Sequence, residues 1–211
     1  MLITCYNPAE LGDILLVVVA ADVSNQQVIQ KENIVQFSDP ISGKPIGYNV
    51  MHASKLLPGL IGSGQIELKV QQLQILNEAL QQAGFSSELV ADRKPHFVVG
   101  LVKQLEVHPN SDHLQIAQVQ VEKQRLVQIV CGAPNIAADQ LVVVAEPGAM
   151  MPSGEIIWPG ELRGVASSGM ICSARELALP NAPQKRGILV LPAADYQPGM
   201  PFDLAKHQAG K

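Results

Sequence analysis

Between Phe97 and Leu191 the chain carries five β-patterned segments separated by turn-forming residues. Phe97 to Val107 is a long run of strand formers, closed by the turn His108-Pro109-Asn110-Ser111-Asp112. Leu114 to Glu122 alternates, with Ile116, Gln118 and Gln120 set against Ala117, Val119 and Val121, and Arg125 to Cys131 pairs back on it as a hairpin. Gly132-Ala133-Pro134-Asn135 turns the chain, Leu141 to Ala145 is apolar on both faces, and Gly187 to Leu191 supplies the last strand. Ser173 to Leu179 reads as one or two helical turns, opened by the capping box Ser173/Glu176. Five strands in this order, with a short helix between the fourth and fifth, predict a small closed Greek-key barrel rather than a sandwich.

The residues ahead of this block follow a different plan. Gly12 to Val19 predicts a buried strand, Val28 to Phe37 a second, and Pro45 to Met51 a third after the turn Asp39–Lys44. Val70, Leu73, Leu76, Leu80 and Ala83 share one face of an amphipathic helix with Gly84 as its C-cap. The spacing Gly59, Gly62, Gly64 lacks the lysine and hydroxyl of a phosphate-cradling loop and reads as a flexible turn. Residues 1–88 are thus a small α/β or α+β domain, residues 93–204 an all-β domain, and Ser86 to Pro95 a polar linker ending in proline.

Composition narrows the setting. Apolar residues make up 47% of the chain, enough for two cores, yet no stretch approaches the roughly 20 unbroken apolar residues that span a bilayer. Met1-Leu2-Ile3 leads into Thr4 and Asn7 without a basic region, unlike a signal peptide, so a cytoplasmic protein without membrane contact is expected. Cys5, Cys131 and Cys172 are odd in number and far apart, which argues for reduced, buried thiols. His108 and His113 lie across a turn with no cysteine or carboxylate cluster to complete a zinc site. Neither cofactor nor metal is expected, and no Ser–His–acid pattern or GxSxG elbow suggests an enzyme.

Four segments carry the functional reading: His108-Pro109-Asn110-Ser111-Asp112-His113-Leu114; Ile129-Val130-Cys131-Gly132-Ala133-Pro134-Asn135; Leu162-Arg163-Gly164-Val165; and Ser167-Ser168-Gly169-Met170-Ile171-Cys172-Ser173-Ala174-Arg175-Glu176-Leu177. Taken as residues, the first is a tight strand corner, since proline fixes φ and Asn and Asp side chains bond nearby backbone. In the fourth, Gly169 permits close approach or positive φ. Ser168 offers a hydroxyl to a phosphate or 2′-OH and Met170 an apolar contact to a base, while a structural part for both stays open.

In this order and span the four segments resemble the tRNA-binding domain at the N-terminus of the bacterial phenylalanyl-tRNA synthetase β subunit, also found in methionyl-tRNA synthetase appendages, CsaA proteins and EMAP-type cofactors. With a separate domain ahead of it, the chain looks most like the YtpR family of stand-alone tRNA-binding proteins. The resemblance implies an OB-fold for residues 93–204 and a non-catalytic tRNA-binding function. The tRNA contacts expected on this reading come from Lys103, Arg125, Asn135, Arg163, Ser168, Met170 and Arg175. Family members usually carry lysine where this chain has His113, which removes a fixed positive charge.

Charge pulls the other way. Residues 1–92 hold 4 basic and 9 acidic residues, and residues 93–204 hold 9 and 10, so RNA must be met by a local basic patch. Lys103, Arg125, Arg163 and Arg175 are the residues expected to form it, with Phe97 and Trp158 as the candidate stackers. The rival reading is a protein-interaction module that keeps the barrel with little RNA affinity. Apolar Leu141–Pro152 and Gly187–Asp203 admit two readings as well: a homodimer interface, which the resemblance implies, or packing against the chain's own first block.

Overall fold

The computed structural model describes residues 1–85 and 88–209, which divide into two compact units, Met1–Arg93 and Lys94–Lys211. Both are mostly β with few helices. Ser86 and Ser87, where the expected linker starts, lie outside the described residues. Within that expected linker, Leu89 is buried in the first unit's core. Its backbone N–H donates to Asn77 Oδ1 at 2.7 Å and its carbonyl accepts from Asn77 Nδ2 at 2.9 Å.

The first unit is one antiparallel sheet with short helices. Its elements are β1 (Ile3–Tyr6), α1 (Pro8–Leu11), β2 (Ile14–Val18), β3 (Gln27–Lys31), β4 (Ile34–Ser38), β5 (Pro45–Met51), α2 (Ala53–Leu56), β6 (Gly64–Ile66) and α3 (Val70–Gln82). The strands lie in the order β3-β4-β5-β2-β1-β6. Alternation sends Leu15 and Val17 of β2, with Tyr48 and Val50 of β5, into a core shared with Leu73, Leu76 and Leu80 of α3. Ile14, Leu16 and Val18 point the other way and stay half-buried.

Two expectations are corrected here. The single strand Val28–Phe37 is a hairpin, broken at Glu32-Asn33, where Glu32 takes a left-handed φ of 50°. On α3, Val70 is exposed and Gln72 is buried instead. Gln72 Oε1 accepts from Lys69 N–H and its Nε2 donates to the Pro58 carbonyl, so a polar residue is held inside by two bonds. The C-terminus behaves as expected: Gly84, at φ 72°, donates to Gln81 O and Phe85 donates to Leu80 O, a Schellman pair.

The second unit holds β7 (Phe97–Val107), β8 (Gln115–Glu122), β9 (Arg125–Cys131), β10 (Leu141–Ala145), β11 (Pro159–Leu162), β12 (Val165–Ser168), β13 (Met170–Ile171), β14 (Val190–Leu191) and α4 (Leu204–Gln208). The main sheet runs β13-β10-β7-β8-β9. The fifth strand differs from expectation. Only Val190–Leu191 of Gly187–Leu191 pairs, on one half of β10, while Met170–Ile171 pairs with the other half. Gly169 makes that second pairing feasible: its φ is 118°, and a Cβ there would sit 2.8 Å from the Ala145 carbonyl. Ser173–Leu179 forms hydrogen-bonded turns rather than a helix, with the reciprocal Ser173/Glu176 bonds in place.

No backbone ladder among the described residues joins β9 to β13, so the sheet is open by that criterion. The hairpin β11–β12 lies against β9 through side chains: Val130 N–H donates to Ser167 Oγ, and Gln128 Nε2 to the Ala166 carbonyl. β10 is buried along its whole length, with Val142 and Val144 in one core cluster and Leu141, Val143 and Ala145 in another. That second cluster also takes Ala149, Met151, Leu191 and Phe202. The apolar residues expected to cover a second copy or the first block are therefore largely consumed inside their own unit, leaving Val190 and Met200 exposed.

Candidate nucleic-acid interface

The corner His108–Asp112 and the tip of the β11–β12 hairpin are stapled together. Leu162-Arg163-Gly164-Val165 is a two-residue turn with φ of 50° at Arg163 and 82° at Gly164, as the twist of a tight hairpin demands. A non-glycine residue there costs about 1–2 kcal/mol. Arg163 offsets this by donating from Nη1 to the Asn110 carbonyl at 3.0 Å, while Asn110 Nδ2 reaches back to the Arg163 carbonyl. His108 is 1% exposed. Its Nδ1 accepts from Asn110 N–H at 3.0 Å and its Nε2 faces the Leu162 carbonyl at 3.0 Å, which fixes the neutral Nε2–H tautomer. The His113 ring bonds Asp112 Oδ1, holding that exposed carboxyl below the ordinary aspartate range.

A second constellation is concave. A groove of about 520 Å³ is bounded by Val130–Ala133 on one side and Lys185–Ile188 on the other, with Met170, Ile171, Ser173, Arg175 and Glu176 completing it. Arg175, Lys185 and Arg186 are exposed and make no hydrogen bond or ion pair with the described residues. The one carboxylate, Glu176, accepts from Ser173 N–H at 2.7 Å. Cys131 lies in the wall, and burial pushes its thiol above the ordinary range. One wall is fastened from a distance: Asn135 Oδ1 accepts from Ile188 N–H at 2.8 Å and Asn135 Nδ2 donates to the Ile188 carbonyl at 3.0 Å.

Of the seven residues expected to touch RNA, Met170 and Arg175 line this groove, and Asn135 braces it with both side-chain polar atoms occupied. The other four lie outside its lining. Lys103 is exposed on β7 at a bulge, the register passing from Val102 to Gln104 without it. Arg125 is committed to two acids, Glu146 at 2.6 Å and Glu122 at 2.9 Å, and the Glu146 bond raises its guanidinium further. Arg163 serves the hairpin staple, and Ser168 sits half-buried opposite Pro159.

Comparison with known proteins follows this division. A family model described as "Putative tRNA binding domain" matches residues 97–201, and a second, described as a domain of unknown function (DUF4479), matches residues 21–92. The chain is 44% identical over 199 residues to "Putative tRNA-binding protein YtpR" of Bacillus subtilis, covering 93% of this chain and 97% of that one. The chain belongs to the YtpR family. Matches to the phenylalanine–tRNA ligase β subunit cover less: 42% identity over 131 residues in Trichormus variabilis spans 60% of this chain and 16% of that subunit. In Oceanobacillus iheyensis, 51% identity spans 44% of this chain and 11% of that subunit.

For this YtpR-family chain, sequence reasoning missed Lys185 and Arg186. They sit in Pro180-Asn181-Ala182-Pro183-Gln184-Lys185-Arg186-Gly187, a loop with no periodicity to place its side chains. The available signal was a basic pair next to the glycine that leads into the last strand.

Proposed function

We propose that this YtpR-family chain is a non-catalytic tRNA-binding protein that holds tRNA through its second unit. The observation that carries the reading is the gathering of Arg175, Lys185 and Arg186, without a partner among the described residues, on one groove in the unit matched by the tRNA-binding family model. Clustered free cations are what a phosphate backbone needs, and they explain how a domain of near-zero net charge can bind RNA. Lys103 adds a further exposed cation. Binding rather than bond breaking suits the groove's own groups, because Glu176 is spent on a cap and Cys131 is held as a thiol.

An OB-type Greek-key barrel is the architecture we infer for this unit. Its support is the five-strand order together with the meeting of β9 and β12 through Ser167 and Gln128. A cytoplasmic setting accords with burial of Cys131 and Cys172 as free thiols. Among the described residues no helix is long and apolar enough to cross a membrane.

Titration of labelled total tRNA tests the reading. Three phosphate contacts imply a loss of about 20- to 40-fold in affinity between roughly 50 and 200 mM salt. Absence of a complex at about 50 mM salt would overturn the proposal and leave a protein-interaction module in its place.

A further inference from the structure

We infer that the groove takes one unstacked nucleotide of the RNA, its flanking phosphates on Arg175, Lys185 and Arg186 and its base against Met170, Ile171 and Ile188. This rests on the tRNA-binding reading above and says which feature of the RNA the site holds. The first argument is shape. A paired helix presents phosphates on a convex surface and keeps its bases stacked inside, so it meets a protein on ridges and flat faces. Here the cations rim a hollow of about 520 Å³, within the range of sites that enclose small ligands and roomy enough for a single nucleotide.

The second argument is the lining. A site for phosphate alone has no use for apolar walls. Buried Val130, Ile171 and Ile188 and half-buried Met170 nevertheless share the lining with the three exposed cations. A flat, weakly polar base fills that space, and methionine adapts to its outline. The third argument is charge. Three cations and the Glu176 carboxylate leave a formal +2, which matches the two phosphodiesters on either side of one nucleotide.

The fourth argument is preorganisation. Asn135 grips both backbone polar groups of Ile188, and Gly187 packs against the Asn135 side chain so closely that a Cβ would lie 2.9 Å from Oδ1. The wall next to Lys185 and Arg186 is thus set before ligand arrives, which reduces the ordering cost of binding. With no aromatic side chain in the lining, the pocket accepts any base and selects instead for a nucleotide free of the stack.

The test uses the full chain, fluorescence anisotropy and four labelled probes at about 50 mM salt: total tRNA, a uridine octamer, an octamer with abasic sugars at its central positions, and a blunt, GC-rich RNA duplex long enough to stay paired throughout, whose larger number of phosphates favours it on charge alone. The octamer is expected to bind at least about tenfold more tightly than the duplex, and the abasic octamer several-fold more weakly than the intact one. The double variant Lys185→Ala/Arg186→Ala is expected to lower the octamer's log–log salt slope by about 0.7 to 1.4, at 0.7 per lost phosphate contact, with an unchanged thermal midpoint. Equal affinity for duplex and octamer, or for abasic and intact octamer, overturns the single-nucleotide site. If tRNA binds and the double variant leaves its affinity and salt slope unaltered, the groove assignment alone falls. If tRNA does not bind the unaltered chain, the functional reading falls with it.

Discussion

Asn135→Ala separates bracing from RNA contact. The side chain makes two hydrogen bonds to Ile188, at 2.8 and 3.0 Å, joining the Gly132–Asn135 turn to the stretch that leads into β14. Each bond contributes about 1 kcal/mol net, and a group left dry without a partner costs about 1–3 kcal/mol. Ile188 is only 8% exposed, so water replaces the lost partner poorly. The expected loss is about 2 kcal/mol, rising toward about 4 if neither backbone group is rehydrated. Asn135→Asp keeps an acceptor for the Ile188 N–H but sets an oxygen against its carbonyl, so its cost should be at least half as large. The chain has a single tryptophan, Trp158, which lies in the second unit, so urea unfolding followed by its fluorescence reads that unit selectively. The midpoint should fall with an unchanged m value. An unmoved midpoint with impaired tRNA binding would refute this and make Asn135 a ligand contact.

Three further outcomes are expected. Arg125→Ala should cost about 0.5–1 kcal/mol, because its ion pairs are partly solvent-screened, and should barely alter tRNA affinity; a large affinity loss would restore it as a phosphate contact. Asp13 is held below the ordinary aspartate value of 3.8 by bonds from the Ser54 N–H and hydroxyl, so its ionised form stabilises the first unit above that pH and the effect fades as pH falls through the lowered value. Calorimetry should therefore show Asp13→Asn melting below the unaltered chain at pH 7, with the gap closing below pH 3.8; a gap that persists in acid would contradict the assignment. Light scattering at micromolar concentration should return one chain mass, 22.6 kDa, since Leu141–Met151 is buried within its own unit; twice that mass would place a dimer contact elsewhere.

Legibility of the sequence tracked how strongly each segment is buried. Phe97–Val107, Arg125–Cys131, Leu141–Ala145 and Pro45–Met51 form strands with the bounds expected, because a sheet with one or two apolar faces writes its period into the side chains. The β11–β12 hairpin left no such trace. Pro159–Leu162 is exposed throughout, and the turn is marked only by Arg163-Gly164. The Glu32-Asn33 break was hidden because a glutamate holds the positive φ that glycine or asparagine usually advertises. Cations posed the converse difficulty. Residue type marks Arg125 and Arg163 as candidates, yet only their neighbours in space show that Glu146, Glu122 and the Asn110 carbonyl already hold them.

The staple between the His108 corner and the hairpin tip bears on descent within the family. His108, Asn110, Arg163 and Asn135 spend polar atoms on the chain's own backbone, so substitution at any of them is penalised whether or not RNA is present. A lineage that abandoned its nucleic acid would keep these letters for as long as it kept the architecture. Lys185 and Arg186 carry no such obligation, and their loss would cost the fold little. Among descendants sharing every one of these motifs, the division between those that still hold RNA and those that have drifted to other work should fall at Lys185 and Arg186, whose exposed side chains make no bond with the described residues.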